Sequence, residues 1–160
     1  VAYAFMLICV SQGVYSVVAI AAVGIAVPPL GMGLATLIGR KYFTAEERET
    51  GKAALVMGCV GVTEGAIPFA AADPLRVIPA NMIGAASGCV TAALMGAQCY
   101  AGWGGLIVLP VVQGKLGFVA ALLVGACVSA ACVILLKAFA KKKPTDVAAD
   151  DELDLDFEIN

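Results

Sequence analysis

The stretch GVTEGAIPFAAADPLRVIPANMIG, residues 61–84, places charges and prolines inside an otherwise apolar chain. It carries two carboxylates, Glu64 and Asp73, and one guanidinium, Arg76. A charged side chain at the centre of a membrane helix costs about 2.5 to 3.5 kcal/mol on insertion scales. Non-helical backbone at that depth survives only where it is buried in protein or lines a cavity. The stretch therefore predicts a break in the helices beside a polar cavity.

The composition of the chain is that of a membrane protein. Of its 160 residues, 61% are hydrophobic and 14% are charged, and the mean hydropathy is +0.96. A soluble domain has about 25% charged residues. We predict an all-α, polytopic membrane protein over residues 1–140, with transmembrane helices and re-entrant hairpins. We expect a lipid environment and no nucleic-acid partner.

The start of the chain and its metal-binding residue types restrict the interpretation further. Val1 leads directly into an apolar run without a charged leader, so we expect this sequence to be part of a longer polypeptide. The chain has six cysteines and no histidine. The cysteines lack the CxxC spacing of metal sites, so we interpret them as small buried apolar residues. We expect no metal and no cofactor.

Three apolar runs are long enough to cross a bilayer, which takes about 20 residues. The first is 3–27, which Pro28 and Pro29 are expected to end because proline cannot continue a helix. The short apolar segment that follows, 30–39, is either a half-helix or the end of a kinked helix. The other two runs, 80–99 and 116–136, are predicted to cross and return.

The polar segment RKYFTAEERETGK, 40–52, begins a helix. Thr44 followed by Glu47 is a capping-box pattern, so the helix is expected to begin at Ala45. Lysines and arginines here and at 141–143 predict that both regions face the cytoplasm. The segment 141–160, which is acidic overall, is predicted to form a disordered cytoplasmic tail, with docking to a partner as the alternative.

Between these markers, residues 53–79 are best explained as a re-entrant site segment. Its two arms would meet at the non-helical GVTEGAIPF. The segment GWGGLIVLPVVQG, 102–114, is a second candidate re-entrant piece because it is short, apolar and interrupted by glycines and Pro110.

The charged residues of the site segment allow several roles. Asp73 before Pro74 is typical of a helix start, where its carboxylate would cap free N–H groups and could pair with Arg76. Arg76 either pairs with a carboxylate or points at an anion or a sugar. Glu64 has no partner fixed by the sequence. Its carboxylate could bind sugar hydroxyls, act as a general base, bind a cation or relay protons, and the residues alone do not separate these roles.

At this point the chain resembles a known family. The segment GVTEGAIPFAAADPLRVIPANMIGAA, 61–86, is similar to the signature of the fructose-type enzyme IIC, the membrane subunit of the bacterial phosphoenolpyruvate-dependent sugar phosphotransferase system. Residues 28–58 and 104–111 resemble the segments that flank this signature. The resemblance covers roughly residues 1–140 and corresponds to the C-terminal half of the family's membrane unit.

The resemblance implies a set of substrate-binding residues. The acid of the Thr-Glu motif, Glu64, would bind sugar hydroxyls and act as the catalytic carboxylate, with Thr63 and Gly65 beside it. Asp73, Arg76 and Asn81 match the rest of the motif. Where the family is expected to have a Pro-His-Gly-Gly-like element, this chain reads AGWGG, so Trp103 would either stack on a sugar face or act as an interfacial aromatic.

The resemblance also implies a function and its partners. Fructose or a related hexose would be translocated across the bacterial inner membrane and phosphorylated by a separate IIB domain, with a IIA domain as a further partner. The missing N-terminal half and a second copy are further expected partners. The alternatives are an ion- or proton-coupled transporter without phosphotransfer, and a truncated half-permease that is inactive alone.

Overall fold

The computed structural model describes residues 2–140, and the predicted acidic tail, 141–160, lies outside them. The α-helices are α1 (Ala2–Ser11), α2 (Tyr15–Ile38), α3 (Ala45–Val60), α4 (Ile67–Ala72), α5 (Pro74–Leu94) and α6 (Lys115–Ala140). Short 3-10 helices cover Arg40–Tyr42, Thr63–Ala66 and Leu106–Val111, and the strands are β1 (Gln98–Cys99) and β2 (Val112–Gln113). The helices α2, α5 and α6 are each long and apolar enough to cross a membrane. The prediction of an all-α membrane protein is confirmed.

The first predicted span, 3–27, is wrong at both ends. Its N-terminal part is a separate helix, α1, because Gly13 adopts a left-handed φ of +76°. The Val14 N–H then donates to the Cys9 carbonyl at 2.9 Å, which closes a glycine C-cap at the end of α1. The glycine in SQGV was the signal for this break.

The expectation that Pro28 and Pro29 end a helix is also wrong. Both lie inside α2, which continues to Ile38. Proline is tolerated inside a membrane helix where other groups satisfy the backbone carbonyls that it leaves without a donor. Of the two alternatives for residues 30–39, the structure has the second, the end of the same helix.

Small residues let α5 and α6 pack closely and antiparallel. A Cβ added at Gly84 would lie 2.8 Å from the Ser129 Cα, and one at Gly88 would lie 3.1 Å from the Ala121 carbonyl oxygen. Later residues of α5 therefore contact earlier residues of α6, as in an antiparallel pair. Close approach of backbones is how helices associate in lipid, where apolar side chains alone provide little preference for one another.

The boundaries of α5 differ from the predicted crossing at 80–99. The helix begins at Pro74, because proline suits the first helical position, and it continues through Pro79. It ends before Gly96, whose φ is +61°, in a glycine C-cap with a 3.1 Å hydrogen bond from the Ala97 N–H to the Ala92 carbonyl. The crossing thus lies about one and a half turns earlier than expected.

Residues 45–73 fold back on themselves, and we call them the first hairpin. Its first arm, α3, packs along the C-terminal half of α2. A Cβ at Gly51 would lie 2.8 Å from the Thr36 Cβ, and one at Gly58 would lie 2.9 Å from the Leu30 nitrogen. The arm therefore runs from the end of α2 back toward its middle. The chain then returns through α4 to the start of α5.

The base of the first hairpin is fastened to the end of α6. The predicted capping box is confirmed: the Thr44 hydroxyl accepts from the Glu47 N–H at 3.1 Å, and the Thr44 N–H donates to the Glu47 carboxylate at 2.8 Å. The other Glu47 oxygen accepts from Lys137 at 2.9 Å. The Lys137 ammonium also lies 4.1 Å from the centre of the Phe43 ring.

Residues 98–113 form a second hairpin, which approaches from the opposite end of α2. Its base is the antiparallel pair of β1 and β2, in which Gln98 is opposite Gln113. The Tyr100 ring lies 4.2 Å from that of Tyr15, at the start of α2. Farther along, a Cβ at Gly104 would lie 2.7 Å from the Ala22 carbonyl oxygen. The second hairpin therefore reaches the middle of α2.

We expect Thr44→Ala to lower the free energy of unfolding by about 1 kcal/mol, because the first turn of α3 loses a hydrogen-bond acceptor. Thermal unfolding in detergent would measure the change. Thr44→Ser keeps the hydroxyl and is the matched control, expected to remain close to the parent. Equal destabilisation by both variants would contradict the capping role.

Candidate functional site

The tips of the two hairpins touch through their backbones. The αL conformation of Gly61, with φ +87°, ends α3, and a Cβ added there would overlap the Gly104 carbonyl. A Cβ at Gly105, whose φ is +83°, would lie 2.5 Å from the Gly61 nitrogen and 2.6 Å from the Cys59 carbonyl oxygen. Side chains at these glycines would hold the tips apart.

Trp103 ties the second tip to the end of α3. Its indole Nε1–H donates to the Val60 carbonyl at 2.7 Å. Val60 is the last residue of α3, and the last carbonyls of a helix have no donor within the helix. The residue as a whole is 45% exposed. Trp103 thus links the tip of the second hairpin to the end of α3 through a structural hydrogen bond.

Thr63 ties the first tip to the middle of α2. Its hydroxyl donates to the Ile25 carbonyl at 3.1 Å, across 38 positions of sequence. Since Ile25 lies near the centre of a helix long enough to cross a membrane, the turn at Thr63 lies at a corresponding depth. Binding sites formed by broken helices in transporters also lie near the middle of the membrane.

Glu64 and Gly65, the next two residues of this turn, differ in burial. Glu64 is exposed, and its carboxylate has no ion pair within residues 2–140. Gly65 is buried against α3, where an added Cβ would lie 3.1 Å from both the Ala54 Cα and the Met57 Cβ. Gly65 thus packs the turn against α3, while Glu64 next to it is exposed.

Asp73 and Arg76 pair with each other at the start of α5. The Arg76 guanidinium lies 2.7 Å from the Asp73 carboxylate, and the two side chains are 42% and 16% exposed. The expected capping by Asp73 is wrong, because its side chain makes no cap hydrogen bond. The nearby guanidinium competes for this carboxylate. The pair is separated from Thr63 and Glu64 by α4, which is about 9 Å long.

Asn81 lies one to two turns into α5 and faces α6. Its amide oxygen accepts from the Ser129 hydroxyl at 2.6 Å. Ser129 is fully buried, and an added Cβ at Gly31 of α2 would lie 2.5 Å from its Cβ. This polar contact therefore lies where the three long helices meet.

Of the seven predicted site residues, the structure brings Thr63, Glu64, Gly65 and Trp103 together around the hairpin tips. Asp73, Arg76 and Asn81 lie along the return arm and α5 instead. The sequence interpretation missed the backbone groups of Ile25 and Val60, since only their tertiary neighbours make them part of the site. Within residues 2–140, no three His, Cys, Asp or Glu side chains are grouped so that they could hold a metal ion.

The proteins to which this chain is similar are named as fructose-like or fructose-specific components of sugar permeases or of the PTS system. The chain is 77% identical, over its whole length, to the fructose-like permease IIC component 2 of Escherichia coli. It is 46% identical over 85% of its length to the PTS system fructose-specific EIIB'BC component of Xanthomonas campestris. It is 34% identical over 94% of its length to the PTS system fructose-specific EIIC component of Haloferax volcanii.

The chain covers only part of each of these relatives: 45%, 24% and 40% of their respective lengths. No family profile matches the chain. No solved structure matches it either.

We expect Gly61→Ala to separate the hairpin tips, because a methyl group there meets the Gly104 backbone rather than a flexible side chain. Gly96→Ala is the matched control, since Gly96 also has a positive φ but has open space around its Cα. The control measures the backbone strain alone, about 1 kcal/mol.

Thermal unfolding in detergent should show that Gly61→Ala lowers the free energy of unfolding by at least about 2 kcal/mol more than Gly96→Ala does. A difference of this size is typical of overpacking. Equal losses in the two variants would mean that the tips do not need to touch.

Proposed function

Because the chain belongs to the fructose-type enzyme IIC components of the phosphoenolpyruvate-dependent sugar phosphotransferase system, we propose that it carries part of a sugar-translocating membrane unit. The substrate would be fructose or a related hexose, released inside the cell as its phosphate ester. The observation that carries this proposal is the Glu64 carboxylate, held at the depth of Ile25 beside the meeting point of two opposed hairpins.

The chemistry of this site suits a hydroxyl-rich ligand. A carboxylate can accept hydrogen bonds from two neighbouring sugar hydroxyls, and it can orient one of them as a general base. Trp103, on the tip of the second hairpin, would stack on an apolar face of the sugar. Glu64 would be the catalytic carboxylate, with Thr63 and Gly65 shaping the turn that presents it.

The exposure of Glu64 has a consequence for the complete protein. A lipid-facing carboxylate at mid-membrane depth costs several kcal/mol, about 2.5 to 3.5 on insertion scales. The surface that carries Glu64 would therefore be covered by further polypeptide with a polar lining. The relative from Escherichia coli is more than twice as long as this chain, which leaves enough sequence for the remaining half of a IIC unit. We assign the present chain to the C-terminal half.

The first hairpin would be re-entrant, entering and leaving at the membrane face where α2 ends and α5 begins. The second would enter from the opposite face. Movement of the tips against α2 would then open the site to one face or the other, as in transporters with broken helices near the bilayer midplane. In this arrangement the Asp73–Arg76 pair lies at the return of the first hairpin, where it would fix the start of α5.

The phosphoryl donor would be another domain or chain, and this sequence contains no histidine that could carry a phosphoryl group itself. Relatives are named EIIB'BC and EIIABC, which supports IIB and IIA domains as partners. The segment 40–52, with its four lysines and arginines, would be the docking surface for IIB and would face the cytoplasm. A second IIC copy would complete a dimer.

Uptake by membrane vesicles containing the complete polypeptide tests the function. Radiolabelled fructose should appear inside as a phosphate ester, and only when phosphorylated IIB is supplied. Accumulation of unmodified fructose under an ion gradient would instead support the secondary-transporter alternative. Absence of uptake by the complete polypeptide with IIB present would refute the proposed function. Uptake by the complete polypeptide but not by this chain alone would support a half-permease that is inactive alone.

We expect Glu64→Gln to weaken fructose binding at least tenfold, because hydrogen bonds to a charged group contribute about 1.5 to 3 kcal/mol. Equilibrium binding to purified protein in detergent measures this. Glu49→Gln is the matched control: Glu49 is exposed, and its hydrogen bond with Lys52 lowers the pKa of its carboxyl group. Unchanged affinity in Glu64→Gln, or equal weakening in both variants, would refute the role of Glu64.

A further inference from the structure

Helix α2 contains two adjacent prolines near its middle, Pro28 and Pro29. Proline has no N–H, and in a helix interior its ring pushes against the carbonyl four residues earlier. The carbonyls of Gly24 and Ile25 therefore lack the helical donor at position i+4. Inside a membrane, a carbonyl in this position needs another donor.

One of these two carbonyls receives its hydrogen bond from the first hairpin. The Thr63 hydroxyl donates to the Ile25 oxygen at 3.1 Å, and Ile25 is four residues before Pro29. Pro29 is fully buried, so its ring is held in place by its surroundings. Because Pro29 has no N–H, the Ile25 carbonyl oxygen is available as an acceptor for the Thr63 hydroxyl.

We propose that Pro29 is a positioning residue for the candidate site, acting through the Ile25 carbonyl and the Thr63 hydroxyl on the turn that carries Glu64. The part of this inference that concerns sugar rests on the proposed function. The anchoring of the turn does not, because it follows from the contacts of α2 with the first hairpin.

The anchoring fixes the backbone on which Glu64 is carried. Thr63 directly precedes Glu64, and Val60, at the other side of the Gly61 break, is held by the Trp103 indole at 2.7 Å. Two long-range hydrogen bonds therefore fix a turn that would otherwise be free to move at Gly61. A ligand that binds a fixed carboxylate loses less affinity to the ordering of the site.

Replacing Pro29 should make the Ile25 carbonyl unavailable to the Thr63 hydroxyl. In Pro29→Ala, the new N–H can form the ordinary helical hydrogen bond with Ile25, and the carbonyl turns back along the helix axis. Thr63 then loses the geometry of its bond. Pro28→Ala is a matched control, because it removes the neighbouring ring but returns a donor to Gly24, whose carbonyl does not bind Thr63 in this structure.

Hydrogen–deuterium exchange of the complete polypeptide in detergent tests the anchoring without any ligand. In peptides covering residues 61–66, Pro29→Ala and Thr63→Val should each exchange about threefold to tenfold faster, as expected for loss of one hydrogen bond. The double variant should exchange no faster than either single variant. Pro28→Ala and Thr63→Ser should match the parent. Unchanged exchange in Pro29→Ala, an equal effect of Pro28→Ala, or additive effects would each overturn the proposal.

Fructose binding then tests whether the anchoring serves the site. Pro29→Ala should weaken binding by a similar threefold to tenfold factor, with no further loss when combined with Thr63→Val. Faster exchange with unchanged affinity would overturn the positioning role. If the parent protein binds no fructose, the proposed function fails, while the exchange data still decide whether Pro29 anchors the turn.

Discussion

Contact between the backbones of two hairpin tips is the constraint on which the rest of the site depends. Gly61 and Gly105 both have positive φ, and each lies too close to the opposite tip for a side chain. In lipid, apolar side chains provide little driving force for helices to associate, so close backbone approach and polar contacts decide the packing. The same glycines bring the tip with Trp103 beside the turn with Thr63 and Glu64.

Interrupted helices create the backbone acceptors that hold this site together. The end of α3 leaves the Val60 carbonyl for Trp103, and Pro29 leaves the Ile25 carbonyl for Thr63. In each case a backbone group without a helical donor is satisfied by a side chain distant in sequence. Within residues 2–140 the Glu64 carboxylate has no ion pair, and the long-range hydrogen bonds of this region involve Thr63 and Val60 instead.

The local features of the fold were predictable where one short motif decides them. Thr44 caps α3 as expected from its spacing to Glu47, and Pro74 begins α5. Predictions failed where the outcome depends on tertiary neighbours. Pro28 and Pro29 continue a helix because α2 is surrounded by other elements, and Asp73 pairs with Arg76 instead of capping.

The sequence by itself determined that this chain is an all-α membrane protein with Glu64 in a break between helices, because composition, periodicity and helix-breaking residues are local properties. Only the tertiary structure decided that Trp103 faces that break, and that the Ile25 carbonyl is an anchor for Thr63. The physical reason is that a hydrogen bond across 38 or 43 positions depends on which backbones approach one another. That approach is settled by the packing of whole helices and hairpins, which no single motif encodes.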